Sequence, residues 1–352
     1  MKILIFRETE LKELNPDVMN RTGLAGTENS VVCLAEELSK FHIVKVCCPT
    51  VSKFFNKVEY INFRSYAEVF LICSLFEPDV LIVSGNPNIL FRQKLPVKRI
   101  IFWQQNHPHE LSGRFNIKEL LFQIEKIDIV APSPEAALYY QDYYKEKQRI
   151  QGIYNGVRKE FYNIKKNIEK DRVIYVGSFS AAKGLDVLLK AIKNLPELNF
   201  TLCGSFSLYG FTDSNYEDCC KFMLKDLKNV TLAGSLNAEE LAKELSFAEL
   251  CIVNPNIYNK ETCCVSALEA MATGTPVLAG RSEILDKLLH DHAGQAVYLE
   301  NNELNKAISE LILDKWKDSR VKMSTCGKEF TKDLSWDKIV LKWNKLLEIK
   351  NG

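Results

Sequence analysis

Short apolar runs rich in β-branched residues recur along the whole chain, and each is followed by a Gly, Pro or polar cluster and then by a stretch with helical periodicity. This alternation is typical of βαβ units, in which helices join parallel strands and cover both faces of the sheet. The sequence therefore predicts an α/β fold throughout. Predicted strands lie at residues 2–6, 43–48, 80–84, 100–104, 128–131 and 150–154, and at 172–176, 199–203, 230–233, 250–253, 276–279 and 296–299.

The length of 352 residues suits two domains, since globular domains commonly hold about 100 to 200 residues. A polar, Lys-rich stretch at 158–171 has no clear periodicity and places the boundary near residue 160. We therefore expect domains at 1–160 and 161–335, followed by a terminal helix within 336–352. Because no Pro-rich or low-complexity linker is present, the two halves are expected to meet across a cleft.

The charge balance limits the partners of this chain. Lys and Arg number 46 and Asp and Glu number 45, which gives a formal net charge of +1. No basic field exists to hold nucleic acid, so nucleic acid is not an expected partner and any anion site must be local. The apolar run at residues 2–6 is too short for a signal peptide or a membrane span. We therefore expect a cytoplasmic protein.

The cysteine and histidine patterns indicate the redox state of the chain and its capacity to bind a structural metal. Eleven cysteines, an odd number with three adjacent pairs, predict reduced core residues rather than a disulfide framework. The sequence has no Cys-x-x-Cys, and its close histidine pairs are His107 with His109 and His290 with His292. This pattern argues against a structural zinc site.

A glycine-containing loop at residues 22–28 leads from the first strand into a helix. Such a loop presents unpaired N–H groups and the positive end of a helix dipole, which suits a phosphate or a carboxylate. An ordinary loop capped by Thr27 or Asn29 is the alternative. The dinucleotide fingerprint Gly-x-Gly-x-x-Gly is absent, which argues against an NAD site.

The second domain opens with a similar pattern of strand, loop and helix start at residues 176–184. The loop superficially resembles a Walker A motif, but Ala182 stands where glycine is needed and Gly184 where Ser or Thr would hold magnesium. What remains is Lys183 at a helix start on the carboxyl edge of a sheet, where it could neutralise a diphosphate. A solvated surface lysine is the alternative.

The segment 261–276 is the most informative one. Residues 262–273 favour a helix that ends at Gly274. Glu261 would then sit at its N-terminus and Glu269 about 12 Å further along the axis, too far apart to share a proton. This spacing suits two carboxylates that hold different hydroxyls of one ligand. The alternative is a terminal charge and a solvated glutamate, but apolar neighbours predict burial of Glu269 and hence a partner for it.

Five motifs occur in order: Ala-Gly-Thr-Glu at 25–28, Asn-Gly-Val at 155–157, Lys-Gly at 183–184, Glu-x7-Glu at 261–269 continued by Ala-Met-Ala-Thr-Gly-Thr-Pro-Val to 277, and Ser-Trp-Asp at 335–337. Together they resemble the retaining glycosyltransferases of the GT-B fold, specifically the family-four group. The resemblance implies two Rossmann-like domains, the first for the acceptor and the second for the nucleotide-sugar donor, with the C-terminal helix crossing back to the first.

The same resemblance implies a retaining hexosyltransferase. It would move a sugar from a nucleoside-diphosphate sugar, with UDP or GDP as the nucleotide, to a hydroxyl of a glycan or glycolipid, as in polysaccharide biosynthesis. No cofactor and no metal are expected. Lys183 would neutralise the diphosphate, Glu261 would contact hydroxyls of the donor sugar, and Glu269 would hold the ribose. Positive groups act most strongly on a phosphate that gains charge as it leaves, so these roles are physically coherent.

Loop backbone completes the donor site that the resemblance implies. N–H groups of Cys263, Cys264 and Val265 would cap the distal phosphate, and Gly26 and Thr27 would approach it from the opposite domain.

Three positions depart from the family pattern. Ser178, which we place among the donor-binding residues, and Phe179 stand where the family commonly has an arginine. Ala25 replaces the first glycine of the N-terminal pair. The family often has a catalytic histidine after a strand of the first domain; His107 is our choice here, with an ordinary loop histidine as the alternative.

Two further alternatives stay open. Paired tyrosines at 139–140 and 143–144, near Lys145 and Lys147, suit either a helix packed on the sheet or a peripheral contact with a lipid-linked acceptor at the inner face of a membrane. A nucleotide-sugar-binding protein without turnover and a nucleotide-sugar epimerase are the competing functions.

Overall fold

The computed structural model describes residues 1–92, 94–111, 114–123, 127–210, 212–256, 260–292, 294–297, 303–313 and 317–348. The chain forms two compact units. The first comprises Met1–Met19, Thr27–Gly156 and Trp336–Gly352, and the second comprises Asn20–Gly26 and Val157–Ser335.

The described residues of the first unit contain eight strands in one sheet: β1 (Lys2–Arg7), β2 (Ile43–Cys47), β3 (Lys53–Phe55), β4 (Val58–Ile61), β5 (Val80–Ser84), β6 (Arg99–Trp103), β7 (Ile127–Ala131) and β8 (Ile150–Gly152). Their order is β3-β4-β2-β1-β5-β6-β7-β8. Neighbouring strands are parallel except in the β3–β4 hairpin. The central strands are buried on both faces, as expected for a parallel sheet covered by helices.

Helices connect these strands: α1 (Pro16–Thr22), α2 (Gly26–Leu38), α3 (Tyr66–Phe76), α4 (Asn88–Arg92), α5 (Pro108–Leu111), α6 (Ile117–Gln123) and α7 (Pro134–Tyr144). Serine caps begin two of them. The hydroxyl of Ser65 accepts from the N–H of Glu68 in α3, and that of Ser133 accepts from Ala136 in α7.

The terminal helix, Trp336–Glu348, packs in the first unit, as the family resemblance implies. Trp343 is fully buried against Trp103, with the two ring centroids 5.1 Å apart in a T-shaped arrangement. Arg99 donates to the carbonyl of Leu346 at 2.9 Å. A Cβ at Gly156 would lie 2.5 Å from the Trp336 ring, so only glycine admits that ring. Residues 349–352 of the expected terminal segment lie outside the described residues.

The second unit holds a parallel six-stranded sheet of β9 (Arg172–Val176), β10 (Asn199–Cys203), β11 (Val230–Gly234), β12 (Leu250–Val253), β13 (Val277–Gly280) and β14 (Gly294–Val297), in the order β11-β10-β9-β12-β13-β14. Its described helices are α8 (Leu185–Ile192), α9 (Ser214–Leu224), α10 (Ala238–Phe247), α11 (Val265–Thr273), α12 (Glu283–His292), α13 (Glu303–Ile312) and α14 (Lys317–Thr331).

The predicted α/β class is confirmed, and most strand limits agree within one or two residues. The strand expected at 296–299 is instead β14, Gly294–Val297, and residues 298–299 lie outside the described residues. The β3–β4 hairpin was missed because its strands are only three and four residues long. It turns at Asn56, whose φ of 52° is left-handed.

Residues Asn20–Gly26 cluster with the second unit, whereas the sequence assigned residues 1–160 to one domain. A side chain of the second unit, Arg158, donates to Asn20 at 3.1 Å. Gly23 has a φ of 68°, and a Cβ there would lie 2.2 Å from the carbonyl oxygen of Leu236. The loop therefore approaches that carbonyl closely because glycine carries no side chain.

Each sheet has one point at which the order of strand addition reverses. In the first unit this point lies between β1 and β5, and in the second between β9 and β12. In open α/β sheets, ligands bind outside the carboxyl ends of the strands at such a switch point.

Replacing Trp343 by alanine should lower the free energy of unfolding by about 3 to 5 kcal/mol, because it removes a large, fully buried ring. Leu341 on the same helix is 57% exposed, so Leu341→Ala is the matched control and should have little effect. Urea unfolding followed by circular dichroism measures both. Equal losses in the two variants would contradict the packing described for this helix.

Candidate functional site

The loops after β9 and β12 meet at the switch point of the second sheet. The two strands are adjacent and parallel, with Cys251 opposite Ile174 and Ile252 opposite Tyr175. Their carboxyl ends therefore lie side by side, and the loops that leave them are brought together.

Lys183 and Glu261, which are 78 residues apart in sequence, form an ion pair at this point. The Nζ of Lys183 donates to Oε1 of Glu261, and the Nδ2 of Asn254 donates to the same oxygen at 2.9 Å. The two charged side chains are 25% and 13% exposed, so the pair lies near the surface and a ligand can reach it. The structure thus places two sequence-predicted residues in direct contact.

The side chain of Tyr175 contacts the backbone of the loop that follows β9. The hydroxyl of Tyr175, which is fully buried, lies 2.9 Å from the carbonyl of Ser178 and 3.3 Å from that of Lys183. Gly184 has a φ of 68°, and a Cβ there would lie 2.7 Å from the backbone nitrogen of Asn256. Glycine at 184 therefore lets this loop approach the β12 loop.

Ser178 and Phe179 are both buried, 3% and 5% exposed. The Ser178 hydroxyl lies 3.0 Å from that of Ser180, and Phe179 packs edge-on against Phe206. These residues support the loop from inside, so Ser178 does not present its hydroxyl to an open surface. Lys183 is the one basic residue within the loop segment 177–184.

The helix after Glu261 begins later than the sequence predicts. Cys264 is left-handed, with a φ of 44°, and α11 starts only at Val265. Glu261 therefore lies four residues before the helix rather than in its first turn, and the predicted axial separation from Glu269 does not apply. The helix ends as predicted, with Gly274 left-handed at its C-cap.

The start of α11 offers backbone donors next to the β12 loop, although the N–H of Ala267 already donates to the carbonyl of Cys264 at 2.9 Å. The first N–H groups of a helix have no acceptor within it, and here they follow Cys263 and Cys264 and begin at Val265. Both cysteines are buried, and burial raises the pKa of the Cys264 thiol to about 11. The thiol is therefore neutral at physiological pH and leaves the backbone groups as the polar feature of this segment.

Glu269 is 7% exposed, and no residue in the described parts of the chain forms a hydrogen bond or ion pair with it. Burial raises its pKa to about 8; the charge of Arg158 opposes this rise and that of Glu160 adds to it. Arg158 itself donates to Glu160 at 3.3 Å. The predicted burial of Glu269 is thus present.

The N-terminal loop contributes Gly26 to the second unit. A Cβ built on Gly26 would lie 3.3 Å from Cγ2 of Val265, so this glycine lies against the first residue of α11. Thr27, the next residue, belongs to the first unit.

His107 lies in the first unit, beyond the carboxyl end of β6, and is 8% exposed. Its ring centroid is 5.3 Å from that of His109 and 4.8 Å from that of Tyr139. His107 thus belongs to the first unit, whereas Lys183 and Glu261 belong to the second.

The paired tyrosines differ in burial. Tyr140 and Tyr144 are buried and bonded to the segment before His107: Tyr140 donates to the carbonyl of Asn106 at 2.9 Å, and Tyr144 to Gln104 at 3.2 Å. Tyr139 and Tyr143 are half-buried and stack against each other at 6.4 Å between centroids.

All eleven cysteines are free thiols, and nine of them are buried; Cys219 and Cys326 are exposed, so the prediction of core residues is wrong for these two. Among the described residues, no three or more His, Cys, Asp or Glu side chains form a cluster that could hold a metal ion. No helix among the described residues is both long enough and apolar enough to cross a membrane.

Sequence reasoning missed Tyr175 and Asn254. Asn254 directly follows β12, so the general rule that polar residues after parallel strands face the ligand edge could have found it. Tyr175 lies within an apolar strand and gave no such signal.

Comparison with known proteins agrees with this architecture. A model of the family "Glycosyl transferases group 1" matches residues 157–330. An uncharacterised glycosyltransferase of Methanocaldococcus jannaschii is 31% identical over 276 residues, which are 75% of this chain and 72% of that protein. The alpha-galactosylglucosyldiacylglycerol synthase of Streptococcus pneumoniae is 27% identical over 45% of this chain and 47% of the synthase.

Solved structures share the fold over nearly the full chain. Sucrose-phosphate synthase from Thermosynechococcus elongatus superposes with a TM-score of 0.76 at 17% identity, covering 98% of each chain. The Anabaena protein HepE, solved in complex with UDP-glucose, gives a TM-score of 0.74 at 16% identity and 99% coverage of each chain.

The two mainly parallel sheets and these likenesses define a glycosyltransferase of the GT-B fold class. The chain belongs to the group 1 glycosyltransferase family, and the family resemblance drawn from the sequence motifs is confirmed.

The raised pKa of Glu269 predicts a pH-dependent stability. The folded protein keeps the proton up to about pH 8, whereas the unfolded chain releases it near the ordinary pKa of 4.5. Stability from this group is therefore fully present below pH 4.5 and is lost as pH rises toward 8, by up to about 1.4 kcal/mol per pH unit. Glu269→Gln should abolish this loss. The free energy of unfolding of the variant should therefore increase relative to that of the wild type as pH rises.

Urea unfolding between pH 5 and pH 8.5 measures this difference. Glu239→Gln changes an exposed glutamate of α10 and is the control, since its difference from the wild type should stay constant. A constant difference for Glu269→Gln as well would show that Glu269 is ionised in the folded protein.

Proposed function

We propose that this glycosyltransferase moves a hexose from a nucleoside-diphosphate sugar to a hydroxyl of a glycan or glycolipid, with retention of configuration and without a metal ion. The observation that carries the proposal is the group of Lys183, Glu261 and Asn254 at the switch point of the second sheet, close in sequence to the start of α11.

In this proposal Lys183 and the first N–H groups of α11 bind the diphosphate. Negative charge grows on the diphosphate as it leaves the sugar, so a lysine and a helix N-terminus stabilise the transition state more than the ground state. These groups supply the positive charge that a metal ion would otherwise provide. When the donor binds, its phosphate takes the place of the Glu261 carboxylate beside Lys183. Lys183 therefore exchanges one anionic partner for another.

Glu261, once released from Lys183, is free to accept hydrogen bonds from hydroxyls of the donor sugar. Asn254 donates to Glu261 and so keeps the carboxylate oriented during this exchange. Asn254 is a positioning residue in this scheme, and Glu261 and Lys183 are catalytic residues.

Glu269 suits the ribose of the nucleotide. Its pKa of about 8 keeps most of the carboxyl protonated at neutral pH, so one oxygen donates while the other accepts. Two neighbouring ribose hydroxyls need this combination of donor and acceptor.

UDP is the proposed nucleotide. Its support is HepE, a protein of the same fold that was solved with UDP-glucose. A glycolipid acceptor in the cytoplasm, at the inner face of a membrane, is supported by the name of the Streptococcus pneumoniae relative, a diacylglycerol glycoside synthase, and by the half-buried Tyr139 and Tyr143.

Thermal unfolding with UDP, GDP, ADP or CMP, each in the presence of EDTA, tests the donor site. A nucleotide at about 100 times its dissociation constant adds about 2.7 kcal/mol of stability, so UDP should raise the melting temperature by several degrees. A shift with another nucleotide would replace UDP by that nucleotide. A shift that appears only when EDTA is replaced by magnesium or manganese would contradict metal independence.

Glu261→Gln and Lys183→Ala should each lower the rate of sugar transfer at least ~100-fold, equivalent to about 2.7 kcal/mol of lost transition-state stabilisation. Lys193→Ala and Glu197→Gln remove equivalent charges from exposed positions and are the controls. The assay follows donor consumption and product by mass spectrometry with a panel of acceptors. Near-wild-type turnover in folded Glu261→Gln and Lys183→Ala would refute the site assignment.

The same assay separates the competing functions. Donor binding with neither transfer nor slow donor hydrolysis would indicate a binding protein. The observation that supports this alternative is that the buried Ser178 and Phe179 stand in place of an arginine. Release of an isomerised sugar without acceptor would indicate an epimerase. Inversion at the anomeric carbon, read by NMR of the product, would contradict retention.

A further inference from the structure

A second charged group lies in the second unit, where the short 3-10 helix Lys159–Phe161 packs against α11. Its members are Arg158, Glu160 and Glu269, and the charges of the first two act on the carboxyl of the third. Arg158 directly precedes the 3-10 helix, Glu160 lies within it, and Glu269 lies in the middle of α11. The sequence motifs identify Glu269 alone, so the function of Arg158 and Glu160 follows from their contacts.

The segment 157–162, which carries Arg158 and Glu160, is anchored at both ends. The N–H of Val157 donates to the carbonyl of Leu334 at 2.8 Å. At the other end, a tyrosine hydroxyl, that of residue 162, donates to the carbonyl of Thr331 at 2.7 Å. The two charged side chains therefore start from a fixed backbone beside α11.

Arg158 is oriented by two acceptors other than Glu269. Its Nη2 donates to Oδ1 of Asn20 at 3.1 Å and to Oε1 of Glu160 at 3.3 Å. Glu269 is 7% exposed and forms no hydrogen bond or ion pair within the parts of the chain that the structure describes, although the charge of Arg158 acts on it. Asn20 and Glu160 thus hold an arginine whose charge would otherwise favour an ionised Glu269.

Glu160 compensates Arg158 through one oxygen only. Its other oxygen, Oε2, is buried and has no hydrogen-bond partner among the described residues, so negative charge remains there. Burial is the main cause that raises the pKa of Glu269 to about 8, and the charge of Glu160 adds to this rise against that of Arg158. Glu269 therefore holds a proton at neutral pH, while Glu160 remains the partner of Arg158.

Other titratable groups around Glu269 supply no counter-charge to it. Burial raises the pKa of the thiols of Cys251 in β12 and Cys264 before α11, so both are neutral at physiological pH. On α14, Lys328 reaches the far end of α11, at Gly274. The charged residues of α10, which also packs against α11, are Glu239, Glu240, Lys243 and Glu244. The shift in the pKa of Glu269 comes from burial, Arg158 and Glu160 rather than from these side chains.

We propose that Glu160 is a positioning residue for the nucleotide ribose: by binding Arg158, it keeps Glu269 a neutral carboxyl that donates one hydrogen bond and accepts another. The inference rests on the proposed function, in which Glu269 binds the ribose. A neutral carboxyl donates to one ribose hydroxyl and accepts from its neighbour, whereas a carboxylate can only accept. Arg158 stays with Glu160 and Asn20 when the ribose is bound.

Calorimetric titration of the full-length protein between pH 6 and pH 9.5, with EDTA present, tests this. UDP, or the nucleotide that replaces it in the thermal-shift series, is compared with its 2′-deoxy analogue. Phosphates and base titrate alike in both ligands, so the ratio of the two Kd values isolates the 2′-hydroxyl. The wild type should prefer the ribonucleotide at least ~5-fold below pH 7. This preference should fall as pH rises through about 8, because an ionised Glu269 cannot donate.

Three variants separate the contributions. Glu160→Gln releases Arg158 from its anionic partner, so the fall in preference should move to lower pH by about 1 pH unit. Arg158→Gln removes the opposing charge and should move it to higher pH. Glu269→Gln carries an amide that donates and accepts at every pH, so it should keep the preference within ~3-fold and make it independent of pH. Glu197→Gln changes an exposed glutamate, is the matched control, and should leave the wild-type profile unchanged.

Three outcomes would overturn the inference: a preference that stays constant or grows above pH 8 in the wild type, an unmoved pH midpoint in folded Glu160→Gln, or loss of the preference in folded Glu269→Gln. A merely structural Glu160 would weaken both ligands equally and leave the midpoint in place. If Glu160→Gln does not fold, an unmoved midpoint in Arg158→Gln overturns the inference instead. Melting temperatures establish which variants are folded.

The same titrations distinguish this failure from failure of the proposed function. Nucleotide binding with a ratio that does not respond to pH would refute the function inferred for Glu160 and leave the donor site standing. Absence of binding by every nucleotide would refute the donor site, and the inference with it.

Discussion

Parallel pairing of β9 with β12 is the constraint on which the candidate site depends. It brings the carboxyl ends of two strands together, and with them Lys183 and Glu261 from distant parts of the sequence. Lys183 ends the short 3-10 helix Ala181–Lys183 in the loop after β9, and the strand that precedes each loop positions the charge that the loop carries. The buried Tyr175 adds to this control, because its hydroxyl contacts the loop at both Ser178 and Lys183. The charges therefore sit on a rigid support although they lie in loops.

Unusual backbone conformations accompany this arrangement. Asn254 and Cys264 both have positive φ angles, 38° and 44°, on either side of Glu261. Left-handed backbone is costly for residues with a side chain and tends to persist at functional sites, where surrounding structure enforces it. Here it lets the chain leave β12, present Glu261 to Lys183, and then start α11 within a few residues. The two left-handed residues and the glutamate of the ion pair thus belong to the same short segment.

Much of the fold and of the candidate site could be predicted from the sequence. The apolar runs located most strands because buried parallel strands leave a strong signal, and the motifs located Lys183, Glu261 and Glu269. The relation of Glu261 to α11 could not be predicted, since the left-handed Cys264 is not a glycine and gives no local signal. Assignment of Asn20–Gly26 to the second unit depends on contacts of Gly23 and Asn20 with distant residues. The strand order, which creates both switch points, is likewise a property of tertiary structure.

The ion pair between Lys183 and Glu261 also bears on how a reaction of the proposed kind would end. A donor offers a diphosphate to Lys183 and hydroxyls to Glu261, so both members of the pair gain a new partner. After transfer, the nucleotide that remains has the diphosphate alone, and Glu261 is left without hydroxyls to bind. The carboxylate then competes with the spent nucleotide for the lysine. In such a reaction the pair would be an internal competitor for the product and would favour emptying the site for the next donor.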